Sequence, residues 1–229
     1  MVLNLLLSYS PDQIKDLLKK SFATYLITKG EKSAGKFIAN SYNYLSEDFL
    51  RHLNFLKETG YVKSNGELTE DGKWASKLRV DQPLLIAEGF RLGVFPESDP
   101  AMLAAIIASF VDERETEGRI DKAFMPKSLL SVFLKITKAL RPFSKLMVTK
   151  GFETKSLFLG PAVTIHAWAT GQSWEKIVSA SEIAEGNLAM LILRTADNLR
   201  HIRALKQFFP EAAETAKKSI ELIIKEPVT

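Results

Sequence analysis

Between Ser128 and Val148 the apolar residues Leu129, Phe133, Ile136, Leu140, Phe143 and Met147 recur at steps of 4, 3, 4, 3 and 4. Only a helical period gathers such positions on one face, and a seam of that length has to be covered by other elements. Lys135, Lys138, Arg141 and Lys145 project away from the seam. Pro142, which has no amide hydrogen, is expected to kink this helix or divide it in two.

The same signals make the rest of the chain almost entirely helical. Ser10 as a cap with Pro11 in the first turn opens a helix through Ile14, Leu17, Leu18 and Phe22. A second stretch covers Gly35 to Tyr44, and a third runs from a Ser46 cap through Phe49, Leu53 and Leu56 to a stop at Gly60. Asn65-Gly66 then supplies two positive-φ residues for a tight hairpin between Tyr61 and Thr69. Thr69 caps a further helix through Trp74, Ala75 and Leu78. Helices followed by a small hairpin are the plan of a winged-helix domain, whose third helix would read a DNA groove. Glu47, Asp48 and Glu58 outweigh Arg51 and Lys57 on that helix, which favours a structural or docking wing over a groove reader.

The expected fold class is mainly α, a winged-helix domain with one small β-hairpin over residues 1–95 followed by a helical bundle over 96–229. The seam is placed at Pro96 to Pro100, and Asp99-Pro100 opens a strongly apolar helix from Ala101 to Val111. Behind it come the Ser128–Val148 helix, an apolar segment from Ser156 to Thr170 with His166 beside Trp168, and a closing pair over about Ile183 to Phe209 and Pro210 to Lys225.

Function classes are narrowed mainly by what is absent. The 229 residues contain no cysteine, so disulfides, thiol nucleophiles and cysteine–zinc sites are excluded. His52, His166 and His201 are too scattered to suggest a metal cage. The run from Val2 to Leu7 is too short for a signal peptide or a membrane span, so a soluble cytoplasmic protein with no membrane partner is expected. Gly30 to Phe37 nearly spells a phosphate-binding loop. It lacks the final hydroxyl and follows an expected helix rather than a strand. The acidic group Asp112, Glu113, Glu115 and Glu117 reads as a solvated helix end rather than a metal site, and no catalytic constellation is present.

Charge is unevenly spread. Nine basic residues face two acidic ones between Arg119 and Lys155, a balance of +7 in a chain whose total is +4, so the remainder carries −3. One basic segment on an acidic body fits a phosphate-bearing partner, and it equally fits a solvated lysine-rich helix face.

Several segments carry a resemblance. Gly93-Val94-Phe95, Asp99-Pro100, Ala104-Ala105, Ser109-Phe110-Val111 and Glu113-Arg114 resemble the start of the DSHCT domain, the C-terminal helical domain of superkiller-type DExH-box RNA helicases. His166-Ala167-Trp168-Ala169-Thr170-Gly171-Gln172-Ser173-Trp174 is similar to the AWAxGxSF segment of those proteins. Glu185-Gly186-Asn187-Leu188 with Arg194 and Asp197-Asn198-Leu199 is similar to their EGSLIR…RRLEEL helix. Leu68 to Gly72 looks like the end of the preceding winged helix, and Met1 to Leu6 like the exit from a RecA-like lobe that is missing here.

The resemblance implies an accessory module that guides single-stranded RNA or DNA and braces the RecA-like lobes, in cis or in trans. In the family those lobes bind ATP and magnesium and drive 3′-to-5′ unwinding, so this chain alone is expected to hold no cofactor and to be no enzyme. Arg194 stands where relatives set an arginine against the RNA backbone, and Asp197 at the neighbouring acidic position. Met190 stands where relatives carry arginine, and Asn187 replaces a small or acidic residue. The nucleic-acid-contacting set on this reading is Arg194, Asp197 and Arg200, with Lys135, Lys138, Arg141 and Lys145. Two other readings stay open: a winged-helix regulator of duplex DNA, and a purely structural docking domain.

Overall fold

The computed structural model describes residues 2–20, 34–111, 122–181 and 183–228, and for residues 19 and 34–44 it describes the backbone alone. Eleven α-helices are found among them: α1 (Val2–Leu5), α2 (Pro11–Lys19), α3 (Ala34–Glu58), α4 (Glu70–Ala75), α5 (Pro83–Arg91), α6 (Pro100–Val111), α7 (Lys127–Thr149), α8 (Leu159–Ala169), α9 (Trp174–Ser181), α10 (Glu185–Arg203) and α11 (Pro210–Ile223). The chain divides into two compact units, Met1–Ser76 and Lys77–Thr229.

In the first unit α1 packs on α3 and α4, and α2 on α3. Ser10 closes a full capping box on α2: its hydroxyl accepts from the Gln13 amide, and the Gln13 side chain accepts from the Ser10 amide. The expected extension of this helix to Phe22 lies outside the described residues. The second and third expected helices are one. Neither glycine nor proline occurs between Lys36 and Thr59, so nothing interrupts the backbone ladder, and Ser46 lies inside α3 instead of capping it.

The hairpin is reduced to a single antiparallel bridge, Val62 with Leu68. Gly66 alone takes a positive φ, +92°, while the Asn65 side chain accepts from the Glu67 amide. The Gly66 amide donates to the Lys63 carbonyl and the Lys63 amide to Glu67, which is a longer loop than the two-residue turn expected. A Cβ at Gly66 would lie 2.6 Å from the Pro11 ring, so glycine is required there by contact as well as by backbone angle. Thr69 caps α4 through the Gly72 amide, and the helix stops at Ala75, short of the expected Leu78.

The second unit is built around α6. Every residue from Met102 to Val111 is buried, because α8, α10 and α11 all pack on this helix. Asp99 caps it by accepting from the Met102 amide. The expected seam at Pro96–Pro100 falls inside this unit, downstream of the division at Ser76 and Lys77. The reason is aromatic packing: Phe95 lies 4.8 Å from Phe90 on α5 and 5.9 Å from Phe110 on α6, and Phe90 lies 5.0 Å from Phe209. Gly89 makes room for this, since a Cβ there would stand 2.5 Å from the Phe95 ring.

The seam helix α7 packs on α5 and α8, with Leu129, Phe133, Ile136, Leu140 and Phe143 buried. Pro142 does not divide it. The residue is exposed, and the Lys138 carbonyl that it cannot serve sits on the same open side, where water can replace the lost bond.

Candidate nucleic-acid interface

Helix α7 contains no acidic residue over its 23 positions. Lys135, Lys138, Arg141 and Lys145 are all exposed, flanked by the exposed Leu134 and Val148. No carboxylate pairs with any of the four among the described residues. The first unit is the opposite case. There Arg51 pairs with Asp48, Lys63 with Glu67 at 3.3 Å, Lys73 with Glu70 at 2.5 Å and Lys15 with Asp12 at 3.4 Å. The Glu67 carboxyl is held below the usual range by the Asn65 hydrogen bond and then by Lys63. Basic side chains already neutralised by neighbours attract phosphate weakly, so among the described residues α7 presents an open cationic face that the first unit's paired cations do not.

Arg194, which the resemblance sets against an RNA backbone, is also tied to the protein's own side chains. One of its terminal nitrogens donates to Asp81 Oδ1 at 2.7 Å. The Asn198 amide donates to Asp81 Oδ2 at 3.0 Å and to the Arg194 carbonyl at 2.9 Å, and its oxygen accepts from the Asp81 amide at 2.9 Å. Asp81 and Asn198 thus form a closed set of polar contacts that fixes Arg194 on α10, with about a third of its side chain still open to solvent. Next to it Gln82 adopts a left-handed backbone, φ +49°, and its side chain donates to the Phe110 carbonyl at 3.2 Å, capping the end of α6.

Asp197 and Arg200 are exposed on the same helix and face each other at 3.6 Å, a loose surface pair. Met190 and Leu193 are exposed there too. The structure therefore sets the expected residues out in two groups, four cations on α7 and Arg194, Asp197 and Arg200 on α10. Helix α7 packs on α5 and α8, while α10 packs on α6 and α11. Asp81 and Gln82 had no signal in the sequence. Asn198 had one: it is a polar residue at an inward position of an otherwise apolar face, 4% exposed.

The half of the near-miss phosphate loop that is described, Ala34 to Phe37, belongs to the start of α3; Gly30 to Ser33 lie outside the described residues, as does the acidic group 112–117. No cluster of three metal-ligating side chains occurs among the described residues, and no helix there is long and apolar enough to cross a membrane.

At the other end of α8, Trp168 donates its indole N–H to the Ile223 carbonyl at 2.7 Å. Lys225 donates to the Trp168 carbonyl at 2.8 Å and rests over the indole face at 4.2 Å. Trp174 meets Trp168 edge-on at 5.6 Å and donates to Glu185 at 3.3 Å. These groups line an open cleft of about 580 Å³. Burial pushes the Lys225 ammonium below its ordinary value, and burial does the same to His166, opposed in part by Asp99.

An all-helical bundle wrapped on one buried helix, with the Trp168 and Arg194 segments on helices that pack against it, is the architecture of a helical accessory domain. The family of the DSHCT (NUC185) domain matches residues 65–229, and the chain belongs to it. The chain is 25% identical over 231 residues to "mRNA transport homolog 4" of Caenorhabditis elegans, covering 91% of this chain and 22% of that protein. It is 23% identical to the Arabidopsis thaliana "DExH-box ATP-dependent RNA helicase DExH15 chloroplastic", over 80% of this chain and 16% of the relative. It is 20% identical to DExH10, an ATP-dependent RNA helicase of the same plant, over 92% and 21%. The chain thus spans about a fifth of the length of these relatives.

Proposed function

We propose that this chain is the accessory module of an ATP-dependent DExH-box RNA helicase, guiding single-stranded RNA and bracing RecA-like lobes that hold ATP and magnesium. On this reading the first unit is a winged-helix domain with a minimal wing, and the bundle is the strand-guiding part. The observation that carries the reading is the face of α7, where Lys135, Lys138, Arg141 and Lys145, with Lys127 at the start, are five exposed cations on a helix without one acidic residue. Such a face attracts any nucleic-acid backbone, so binding is sequence-tolerant and weakened by salt. Arg194 adds a guanidinium that Asp81 holds on α10, with about a third of the side chain reaching solvent.

Fluorescence anisotropy with single-stranded RNA, single-stranded DNA and duplex DNA at two salt concentrations tests it. Salt-sensitive binding that prefers single strands, and is lost when Lys135, Lys138, Arg141 and Lys145 become glutamine, supports the reading. Preference for duplex would return the case to a groove-reading wing, and no binding at low salt would leave bracing alone.

A further inference from the structure

The cleft between α8, α9 and the chain after α11 has a chemistry opposite to that of α7. Three carboxylates line it, Glu175, Glu185 and Glu226, against one cation, Lys225, in a protein whose net charge is +4. The half-buried Trp174 forms its apolar wall, backed by Trp168, which is buried with Lys225 over its face. Carboxylates beside aromatic faces repel phosphate and attract organic cations, which gain both charge pairing and ring attraction. Lys225 already displays the second interaction, its ammonium held 4.2 Å from the Trp168 centroid. Glu185 takes part in the wall itself, by accepting the Trp174 indole N–H. Its volume of about 580 Å³ lies within the range of small-ligand clefts, about 300–1,000 Å³, and it opens to solvent.

We propose that this cleft binds an arginine or lysine side chain presented by a basic peptide segment of a partner protein. The half-buried Trp174 flanks the aliphatic stem, Trp168 backs it from beneath Lys225, and Glu175 and Glu185 receive the charge. Nothing in this proposal depends on the nucleic-acid reading, and it stands if that reading fails.

The test follows the indole N–H signals of the whole chain by NMR during titration with a short acetylated arginine-rich peptide. A glutamate-rich peptide and single-stranded RNA serve as the other arms. The expected result is movement of the Trp168 and Trp174 signals with the basic peptide only, with Trp74 unmoved. In the Glu175→Gln, Glu185→Gln double variant the affinity should fall about tenfold, the scale of one lost charge-assisted contact. Glutamine keeps an acceptor for the Trp174 indole, and an unshifted Trp74 signal with an unchanged melting temperature shows the variant folded. Silent Trp168 and Trp174 signals, unchanged affinity in the folded variant, or movement with RNA instead of the peptide would each overturn the proposal.

Discussion

Asn198 commits three of its four side-chain hydrogen-bonding positions to two residues. Its oxygen accepts from the Asp81 amide, and its nitrogen donates to the Asp81 carboxylate and the Arg194 carbonyl. Asn198→Ala should therefore lower the unfolding free energy by roughly 2–4 kcal/mol in chemical denaturation, since it strands partners that are themselves part-buried. Arg194 can be separated into two roles by comparing variants. If it touches RNA, Arg194→Gln weakens single-strand affinity by about 1–3 kcal/mol, while Asp81→Asn leaves affinity unchanged or raised. An equal loss in both would mean that Arg194 acts only through the scaffold. Gly89→Ala sets two effects against each other. Alanine gains about 1 kcal/mol of helix propensity, but its Cβ would fall 2.5 Å from a Phe95 ring fixed between Phe90 and Phe110. Overpacking costs about 1–3 kcal/mol, so a lower melting temperature is expected.

Helix α7 was legible in the sequence almost whole, because five of its six seam residues are buried and period alone identifies such a face. Its unbroken run through Pro142 was not, since the penalty for a missing amide depends on whether water reaches the orphaned carbonyl. Pro142→Ala should restore that bond and raise stability by roughly 1–2 kcal/mol, read as a higher denaturation midpoint. The union of two expected helices into α3 shows the reverse error, in which a good capping residue at Ser46 was read as a boundary although no breaker accompanied it. Neutralising Lys135, Lys138, Arg141 and Lys145 of α7 should flatten the dependence of log affinity on log salt by up to about 3 if all four meet phosphates of a single strand. An unchanged slope would place the contact elsewhere.

Across the molecule, what the sequence hid is long-range. Asp81 and Asn198 are 117 positions apart, Trp168 and Ile223 are 55 apart, and no local pattern announces either pairing. The division into compact units is equally hidden: it lies at Ser76 and Lys77 rather than at the linker-like stretch Pro96 to Pro100, whose neighbourhood Phe95 ties into the bundle. Stability of the bundle should fall as pH drops below about 6.5, because burial holds the folded His166 below that ordinary value. The unfolded chain then takes up its proton first, and the loss ends once the pH is below the folded value. Melting temperatures at pH 7.5 and 5.5 check this, and His166→Gln should reduce the difference. Helix α6 finally sets a condition on how the protein is made. Twelve residues that end with every side from Met102 onward covered leave the ribosome before α8, α10 and α11 exist. The last of these ends at Ile223, so at ~5–20 residues per second the bare segment waits roughly 6–22 s for its final cover. Over that interval a chaperone and a neighbouring nascent chain compete for the same surface, and the yield of native protein becomes a matter of translation speed.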